Sequence, residues 1–376
     1  MAGIYIHIPF CKQACYYCDF HFSTNQERRG EMVQAIAGEL SLQKNYLEGE
    51  PVQTIYFGGG TPSLLTKEEL DVILGGIHTN FQVTDVPEIT LEANPDDLSV
   101  TKFRALRESG INRLSIGIQS FDDTVLQYLN RAHDGASSYR CFEEARNNGF
   151  NNISIDLIYS IPGQDDATWL KNIEKALTLH PEHISSYSLT IEEKTAFGRW
   201  AAQGKLKVVD DEISATQLEL LVDSLEQAGY EQYEVSNFAR PGFLSRHNSS
   251  YWKEQKYLGV GPSAHSFNGI SRQYNIRHNH AYLQSLANGK LPSTVEILSR
   301  EDKINDYLLT RLRTSWGADL KRLKAELDYD VFSIHQRYLD SLFTQKLAFI
   351  ENDVLILSRA GKLLADKISS DLFAVA

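Results

Sequence analysis

The feature that most constrains the fold is a succession of six short β-rich segments, separated by stretches with helical periodicity. The β-rich segments span residues 4–10, 54–60, 88–95, 113–121, 152–163 and 183–192, and the helix-forming stretches span 31–46, 67–81, 99–109, 139–148 and 167–179. Alternation of this kind is typical of parallel β/α units. Six units fall short of the eight that close a standard barrel. The sequence therefore predicts an α/β fold with a partial, TIM-like (β/α)6 barrel.

Within these segments, apolar and polar side chains alternate. Alternate side chains of a strand point to opposite faces, so the apolar set packs on the helices and the polar set lines the inside. A packed barrel would carry Val, Ile and Leu there. The alternation predicts an open barrel holding a large polar ligand. An antiparallel sheet with one wetted face is the alternative, which the intervening helices disfavour. The polar set comprises Tyr5, His7, Thr54, Tyr56, Thr90, Glu92, Ser115, Gln119, Ser154, Asp156, Ser186 and Ser188.

Charge and hydropathy limit the function classes open to this chain. Its 376 residues carry a net charge of −12, which argues against a dedicated nucleic-acid binder because phosphate binding needs a basic face. The first apolar run is interrupted by His7 and Pro9, and no run reaches about 18 apolar residues, so neither a signal peptide nor a transmembrane segment is predicted. A cytoplasmic location is expected. There, clustered cysteines indicate metal or redox chemistry more often than disulfides.

Three of the four cysteines lie within eight residues, in CKQACYYC at 11–18. Thiolates at the C-x3-C-x2-C spacing of Cys11, Cys15 and Cys18 can ligate three irons of a [4Fe-4S] cluster and leave the fourth iron open. Structural zinc is the alternative, with His21 completing a Cys3His site. The fourth cysteine, Cys141, lies in a predicted helix and is interpreted as a small buried apolar side chain.

A glycine-rich turn and several polar strand ends predict where a ligand binds. The GGGTP sequence at 58–62 follows the second strand, and its bare backbone allows a ligand to approach closely. Glu92, Gln119 and Asp156 lie at or near the ends of the next three strands. Because the strand ends of α/β barrels carry the site, we expect these side chains to share one rim. Any one of them could instead be a satisfied buried polar group.

Together these motifs resemble the radical S-adenosylmethionine superfamily over the first half of the chain. More narrowly, YIHIPFC, FGGGTP, LEANP, SIGIQSF, LNRAH, IDLIYSIPGQ and GVGPSAHSF resemble the oxygen-independent coproporphyrinogen III oxidase family (HemN) and its HemW relatives, which are heme chaperones. This narrower resemblance runs through almost the whole chain.

The resemblance implies a cofactor set and its contacts. Cys11, Cys15 and Cys18 would ligate the [4Fe-4S] cluster, while S-adenosyl-L-methionine (S-adenosylmethionine) chelates the open iron and is cleaved reductively to a 5′-deoxyadenosyl radical. An electron donor such as a flavodoxin or ferredoxin is implied, and a homodimer is an expected state. The residues implied to contact S-adenosylmethionine are Tyr5, Tyr17, Gly59, Gly60, Thr61, Glu92, Gln119, Arg131, Asp156, Ser188 and His265.

Three features of the sequence distinguish between the oxidases and their HemW relatives. The oxidases read C-x3-C-x2-C-x-C, whereas Phe20 holds the last of these positions here. The oxidases also carry an extension ahead of the first strand, and this sequence starts almost at the strand. RHNSSYW at 246–252 matches the HNxxYW motif of the HemW relatives. The resemblance therefore favours a heme chaperone that passes heme to an acceptor protein. Coproporphyrinogen III dehydrogenation is the alternative.

An imidazole is the natural axial ligand for heme iron once the clustered cysteines are occupied. His247 is the preferred candidate because Tyr251 and Trp252 follow it and could pack on a porphyrin. The alternatives are His265, His278 and His280, and a hydrogen-bonding role within a loop is the simpler interpretation of His247.

The last part of the chain predicts a separate small domain. Helical patterns at 302–312, 319–327 and 333–343 precede FIENDVLIL, a hairpin with Asn352 and Asp353 in its turn, and a closing helix starts near Arg359. This order suggests a winged-helix-like module, and a lid or protein contact is favoured over DNA binding. The predicted divisions are 1–205, the barrel; 206–295, a connecting region; and 296–376, the C-terminal domain.

Overall fold

The computed structural model describes residues 1–375, and six parallel strands form the centre of the molecule. They lie side by side in chain order, which confirms the predicted β/α units. Their bounds are β1 (Ala2–Ile8), β2 (Val52–Gly59), β3 (Val83–Ala93), β4 (Arg113–Gln119), β5 (Ile153–Tyr159) and β6 (His183–Ser188). Each crossover between neighbouring strands carries at least one helix, because parallel strands require such a connection.

The helices cover the apolar face of this sheet. Ile4, Ile6 and Ile8 are almost completely buried there, as the alternation predicts. Side-chain caps define several helix starts; Thr66, for example, forms a capping box with Glu69. The helices up to the end of the barrel region are α1 (Arg29–Leu42), α2 (Lys67–Asn80), α3 (Val100–Glu108), α4 (Asp123–Tyr128), α5 (Gly135–Asn147), α6 (Asp166–Thr178), α7 (Ala196–Ala202) and α8 (Asp211–Gln227), with 3-10 turns at Pro62–Leu64 and Pro95–Asp97.

The sheet extends beyond both edges of the parallel strands, which the sequence did not predict. Antiparallel β7 (Glu231–Glu234) and β8 (Asn237–Ala239) continue it past β6. On the other side, β9 (Tyr257–Val260) pairs in parallel with β1, followed by β10 (His265–Phe267), β11 (Ser271–Asn275) and β12 (Ser293–Ile297). Helices α9 (Arg246–Trp252) and α10 (Asn279–Ala287) lie between these strands. The added strands are three to five residues long, too short to produce a clear alternating pattern.

One register prediction was wrong. Ser186 was placed on the polar, inward face of β6, but it pairs with Leu157, while Ser185 pairs with Asp156. Ser185 therefore shares the inward face with Asp156, and Ser186 points the other way. The sequence HISSYS has serine at two adjacent positions, which point to opposite faces of the strand. Alternation alone therefore could not decide which serine faces inward.

The C-terminal region has its own hydrophobic cluster, built on residues such as Ile304, Leu308, Leu342 and Leu355. Its elements are α11 (Arg300–Leu312), β13 (Ala318–Asp319), α12 (Leu320–Leu327), α13 (Val331–Thr344), β14 (Ala348–Glu351), β15 (Val354–Leu357), α14 (Arg359–Lys362) and α15 (Ala365–Asp371). Asn352 and Asp353 both adopt positive φ in the hairpin turn, as a two-residue hairpin requires. The predicted helices-then-hairpin order is confirmed. The divisions at residues 205 and 295 stay predictions.

Within residues 1–375, each helix is too short or too polar to cross a membrane.

Candidate cofactor and ligand cavity

A large cavity opens at the carboxyl ends of the parallel strands. Its volume is about 1190 Å³, which exceeds the range typical of small-molecule sites. The parts of the molecule that line it include the segment at 11–22 with the cysteine loop, the ends of β1 to β6, helix α9, strands β9 to β11, and helices α11 and α12. We call this space the central cavity.

The cysteine loop borders the central cavity with all three thiols. Cys11, Cys15 and Cys18 line it and form no disulfide. The Thr61 hydroxyl donates to Cys11 Sγ at 3.3 Å, and Arg131 Nη1 donates to Cys15 Sγ at 3.4 Å. Both donors stabilise negative charge on sulfur, so the loop is arranged for thiolate ligands.

The chemistry of the three thiols suits an iron–sulfur cluster or another soft metal site. Burial raises the pKa of the Cys11 thiol to about 12 and that of Cys18 to about 11, so both would release protons on binding a metal. His21, the fourth ligand of the zinc alternative, bonds instead through Nε2 to Asn279 Oδ1 at 2.7 Å. Among the described residues, no three His, Cys, Asp or Glu side chains converge on one metal position. A cubane distributes its thiolate ligands over separate irons.

Gly59 and Gly60 approach β1 and the chain that enters the cysteine loop closely. Gly59 has a φ of +103°, and a Cβ there would lie 2.6 Å from the His7 ring. A Cβ on Gly60 would lie 2.6 Å from the Phe10 carbonyl oxygen. Neither glycine can therefore be replaced without moving β1 or the chain that enters the cysteine loop.

The carboxylates of Glu92 on β3 and Asp156 on β5 face the central cavity. Glu92 accepts hydrogen bonds from the Tyr56 hydroxyl at 2.8 Å and the Gly59 N–H at 3.2 Å. Burial, reinforced by the nearby Asp156 carboxylate, raises the pKa of Glu92 to about 7. Burial also raises the pKa of Asp156 to about 6, although Ser115 Oγ donates to it at 3.2 Å. The pair can accept hydrogen bonds from ammonium or hydroxyl groups of a ligand.

The other residues implied to contact S-adenosylmethionine also line the central cavity. Tyr5, Tyr17, Gln119, Ser188 and His265 are all part of its wall. Gln119 has a φ of 66°, a conformation that non-glycine residues adopt mainly at constrained sites. The structure thus brings together every predicted contact on the barrel. The roles of these residues stay predictions.

Arg131 connects the cysteine loop to the strand ends. Besides Cys15, its guanidinium donates to Asn94 Oδ1 at 2.6 Å and to the Gly117 carbonyl at 2.8 Å. Asn94 in turn donates to Thr61 Oγ1 at 3.3 Å. Arg131 therefore holds a positive charge beside the Cys15 sulfur in a defined geometry.

His247 lies outside the wall of the central cavity, in contrast to its predicted role as heme ligand. Its ring is buried, with Nδ1 2.8 Å from Thr54 Oγ1 and Nε2 2.8 Å from the Tyr251 hydroxyl. It also stacks on Tyr56 at 5.0 Å. Because both ring nitrogens are engaged, this conformation leaves His247 no nitrogen for iron. The simpler interpretation, a hydrogen-bonding role, describes the observed contacts.

His278 and His280, which are alternative candidates for the heme ligand, also lie outside the wall of the central cavity. His278 caps α10, with Nδ1 accepting from Ala281 N at 3.2 Å, and His280 contacts Arg28. Cys141 is buried in the hydrophobic core, as predicted.

Several lining residues were not predicted. Tyr307 and Arg322 reach the central cavity from the C-terminal helices, and Tyr257 and Phe267 reach it from the added strands. No local pattern marks them, since their position depends on how distant elements pack. Asn94 follows Glu92 in LEANP, and its place at a strand end was the signal that could have identified it.

Comparison with known proteins identifies the family. A model described as the radical SAM superfamily matches residues 5–176. Over 373 residues the chain is 35% identical to the heme chaperone HemW of Bacillus subtilis (strain 168), covering 98% of each chain. The chain belongs to the HemW family. HemW of Escherichia coli (strain K12) is 33% identical over 83% of this chain and 82% of its own.

Among solved structures, the HemW-family fold seen here matches that of coproporphyrinogen III oxidase (HemN) from Escherichia coli, a radical SAM enzyme. The TM-score is 0.85 at 24% identity, covering 99% of this chain and 90% of that one. At this identity the likeness concerns the fold alone. It confirms the partial barrel with a C-terminal helical domain.

Proposed function

We propose that the protein is a radical-SAM-type heme chaperone. It would bind a [4Fe-4S] cluster through Cys11, Cys15 and Cys18, bind S-adenosylmethionine beside it, hold heme, and transfer that heme to an acceptor protein. The supporting observation is that the three thiols, the strand ends and the C-terminal helices border one cavity of about 1190 Å³. HemW-family membership supports the same proposal.

The residues of the central cavity have separate tasks in this proposal. Thr61 and Arg131 stabilise the charge on the cysteine sulfurs, while Glu92 and Asp156 accept hydrogen bonds from the ligand. The backbone at Gly59 and Gly60 allows close approach. When bound, the cluster and S-adenosylmethionine supply one-electron reductive chemistry. The proposed partners are the heme acceptor and an electron donor such as a flavodoxin or ferredoxin, and the homodimer stays a prediction.

The alternative is oxygen-independent coproporphyrinogen III dehydrogenation. The observation that opposes it is Phe20, which holds the position of the oxidases' fourth cysteine, two residues after Cys18. Phe20 lies at the cavity with 70% of its surface exposed. An apolar side chain in this place supplies no ligand or proton to a substrate.

Anaerobic reconstitution followed by two parallel assays tests the proposal. We expect stoichiometric heme retention, transfer to apo-acceptor proteins, and no turnover of coproporphyrinogen III in the presence of S-adenosylmethionine and a reductant. Catalytic formation of decarboxylated product would establish the alternative. A colourless protein that retains zinc would contradict the cluster assignment.

A further inference from the structure

The cysteine loop at 11–18 contains no helix or strand, so its shape depends on partners elsewhere in the molecule. One backbone hydrogen bond joins two residues of the loop, from the Cys18 N–H to the Cys15 carbonyl at 3.3 Å. Ordering such a loop costs conformational entropy, which contacts with other elements have to offset.

Residues 129–131, the turn that follows α4, provide several of these contacts. Gln13 Nε2 donates to the Asn130 carbonyl at 2.9 Å, and Asn130 Nδ2 donates to the Ala14 carbonyl at 2.8 Å. Asn130 therefore binds the cysteine loop through both its backbone and its side chain. We call these three residues the 129–131 turn.

The two neighbours of Asn130 extend the contact along the loop. The Tyr16 N–H donates to the Leu129 carbonyl at 3.2 Å, and Arg131 Nη1 donates to Cys15 Sγ at 3.4 Å. Four consecutive loop residues, 13–16, are thus each hydrogen-bonded to three consecutive residues of the turn. One of these bonds ends on a thiol of the proposed cluster site, so the turn influences where that sulfur lies.

The backbone of the 129–131 turn is fixed by the end of α4. The Asn130 N–H donates to the Gln127 carbonyl at 3.0 Å, and the Arg131 N–H donates to the Leu126 carbonyl at 2.9 Å. This is the Schellman pattern of a helix C-terminus, and Asn130 takes its left-handed position with a φ of 59°. Glycine is the usual residue there because it adopts this conformation without strain. Asparagine also tolerates it and adds the amide that reaches Ala14.

Helix α7 provides a second anchor for the cysteine loop at Tyr16. The Phe197 N–H donates to the Tyr16 carbonyl at 3.0 Å, and the Tyr16 ring packs edge-on against Trp200 with 4.9 Å between the ring centroids. Leu129 is buried in the same apolar cluster. All of these contacts join protein atoms to one another, so they do not require a bound metal.

Resting on the proposed function, we propose that the 129–131 turn is a template that holds the cysteine loop in its metal-binding conformation before the cluster is inserted. Asn130 is the positioning residue of this template, since it acts on Cys15 through the neighbouring Ala14 and Gln13. A loop that is ordered in advance loses less entropy on binding its ligand. Cluster binding is therefore tighter, and cluster loss slower, than with an unsupported loop.

Asn130→Gly tests the proposal because it keeps the left-handed backbone and removes the side-chain amide. In the reduced apo-protein we expect Cys15 to react with iodoacetamide about two- to tenfold faster than in wild type, as for the loss of one ordinary hydrogen bond. Tandem mass spectrometry measures the rate for each cysteine separately. Cys11, whose sulfur accepts from Thr61, should change less, and the buried Cys141 should stay unreactive.

Asn352→Gly is the matched control, since Asn352 also has a positive φ, of 51°, but lies in the C-terminal hairpin. It should leave the Cys15 rate unchanged. N130D should raise that rate at least as much as N130G, because an ionised carboxylate tolerates the turn but cannot donate to Ala14. Reconstituted N130G should release iron to a chelator faster than wild type by a similar factor. The denaturant midpoint of the apo-protein should stay unchanged, because glycine is ordinary at this helix position.

Equal Cys15 rates in wild type, N130G and N130D would overturn the proposal. A rise in the Cys141 rate that matches the rise for Cys15 would also overturn it, since it would show a general loss of structure. If the wild-type protein takes up no cluster, the proposed function fails, while the rates in the apo-protein still show whether the turn holds the loop.

Discussion

The Tyr56 hydroxyl donates a 2.8 Å hydrogen bond to Glu92 Oε1, and the neighbouring Gly59 N–H donates to Oε2. Both donors favour the ionised carboxylate, yet burial and Asp156 still raise the pKa of Glu92 to about 7. In the ligand-free protein, ionisation of Glu92 therefore costs free energy. Hydrogen bonds from a cationic or hydroxyl-bearing ligand would lower that cost.

Glu92→Gln should stabilise the ligand-free protein at alkaline pH. Between the ordinary pKa of 4.5 and about 7, the folded state binds a proton that the unfolded state has lost, so stability falls as pH rises through this range. At pH 8 we expect the variant to gain on the order of 1–3 kcal/mol over wild type, and much less at pH 5. Denaturant unfolding at the two pH values measures the difference. Glu108→Gln, at an exposed position, should leave the free energy of unfolding unchanged at both pH values. Equal effects of E92Q at both pH values would contradict the prediction.

Cys11→Ala, Cys15→Ala and Cys18→Ala should each abolish the brown chromophore of the reconstituted protein, because each removes one of three thiolate ligands. Visible absorbance with iron and sulfide analysis provides the measurement. Cys141→Ala is the matched control, since that thiol is buried in the core away from the cavity. Retention of a full cluster in any of the three single variants would show that its sulfur is not a ligand.

Arg131→Met should make the cluster harder to reduce. The guanidinium donates to Cys15 Sγ, and a positive charge or hydrogen bond at a cluster sulfur favours the more negative reduced state. We expect a more negative reduction potential in R131M. R131K should give an intermediate value, because lysine keeps the positive charge but lacks the planar guanidinium with its several donors. Redox titration monitored by electron paramagnetic resonance tests this. Arg140→Met on the exposed side of α5 should leave the potential unchanged; an unaltered potential in R131M would count against the contact.

Gly60→Ala should disrupt the cavity more than an ordinary Gly→Ala change does. The new methyl group would meet the Phe10 and Ile8 carbonyl oxygens at 2.6 and 2.8 Å, so the chain entering the cysteine loop must move. We expect a loss of about 2 kcal/mol or more together with weaker cluster retention. Gly75→Ala on helix α2 meets nothing within 4 Å and should instead stabilise by about 0.5–1 kcal/mol. Thermal or denaturant unfolding of the two variants compares them, and similar behaviour would refute the close-approach argument.

Arg313→Ala should weaken the junction between the barrel and the C-terminal region. Arg313 pairs with Glu234 at 3.0 Å and with Asp366 at 2.6 Å, and the Glu234 side chain is only 1% exposed. Removing the cation leaves a buried carboxylate without its partner, at a cost of about 3 kcal/mol. Arg359→Ala breaks a pair with Asp223 in which both side chains are well exposed, and should cost much less because water screens the pair. The free energies of unfolding from denaturant titration distinguish the two cases.

Much of the candidate site was predictable because its signals are local. The cysteine spacing, the glycines after β2 and the polar ends at Glu92 and Asp156 can each be recognised within a few residues, and parallel strands place their ends at one rim by geometry. The hairpin turn at Asn352 and Asp353 was predictable for the same reason, as its positive φ values follow from residue type.

Side-chain partners from distant elements were not predictable. His247 looked available for iron in HNSSYW, and only packing against Thr54 and Tyr251 shows that both its nitrogens are engaged. Ser185 and Ser186 are chemically identical, so the pairing of β6 with β5 decides which one faces inward.

By itself, the sequence determined the β/α succession, the three thiol positions and the order of the C-terminal elements, since each depends on periodicity or spacing along the chain. The tertiary structure alone decided that β9 and β10 extend the sheet beside β1, and that α12 closes the far side of the central cavity. It thereby brought His265 to the wall of the central cavity, which Tyr5 also lines. The physical reason is that short strands and helix-to-sheet contacts are stabilised by burial against distant residues, and no local pattern along the chain records that burial.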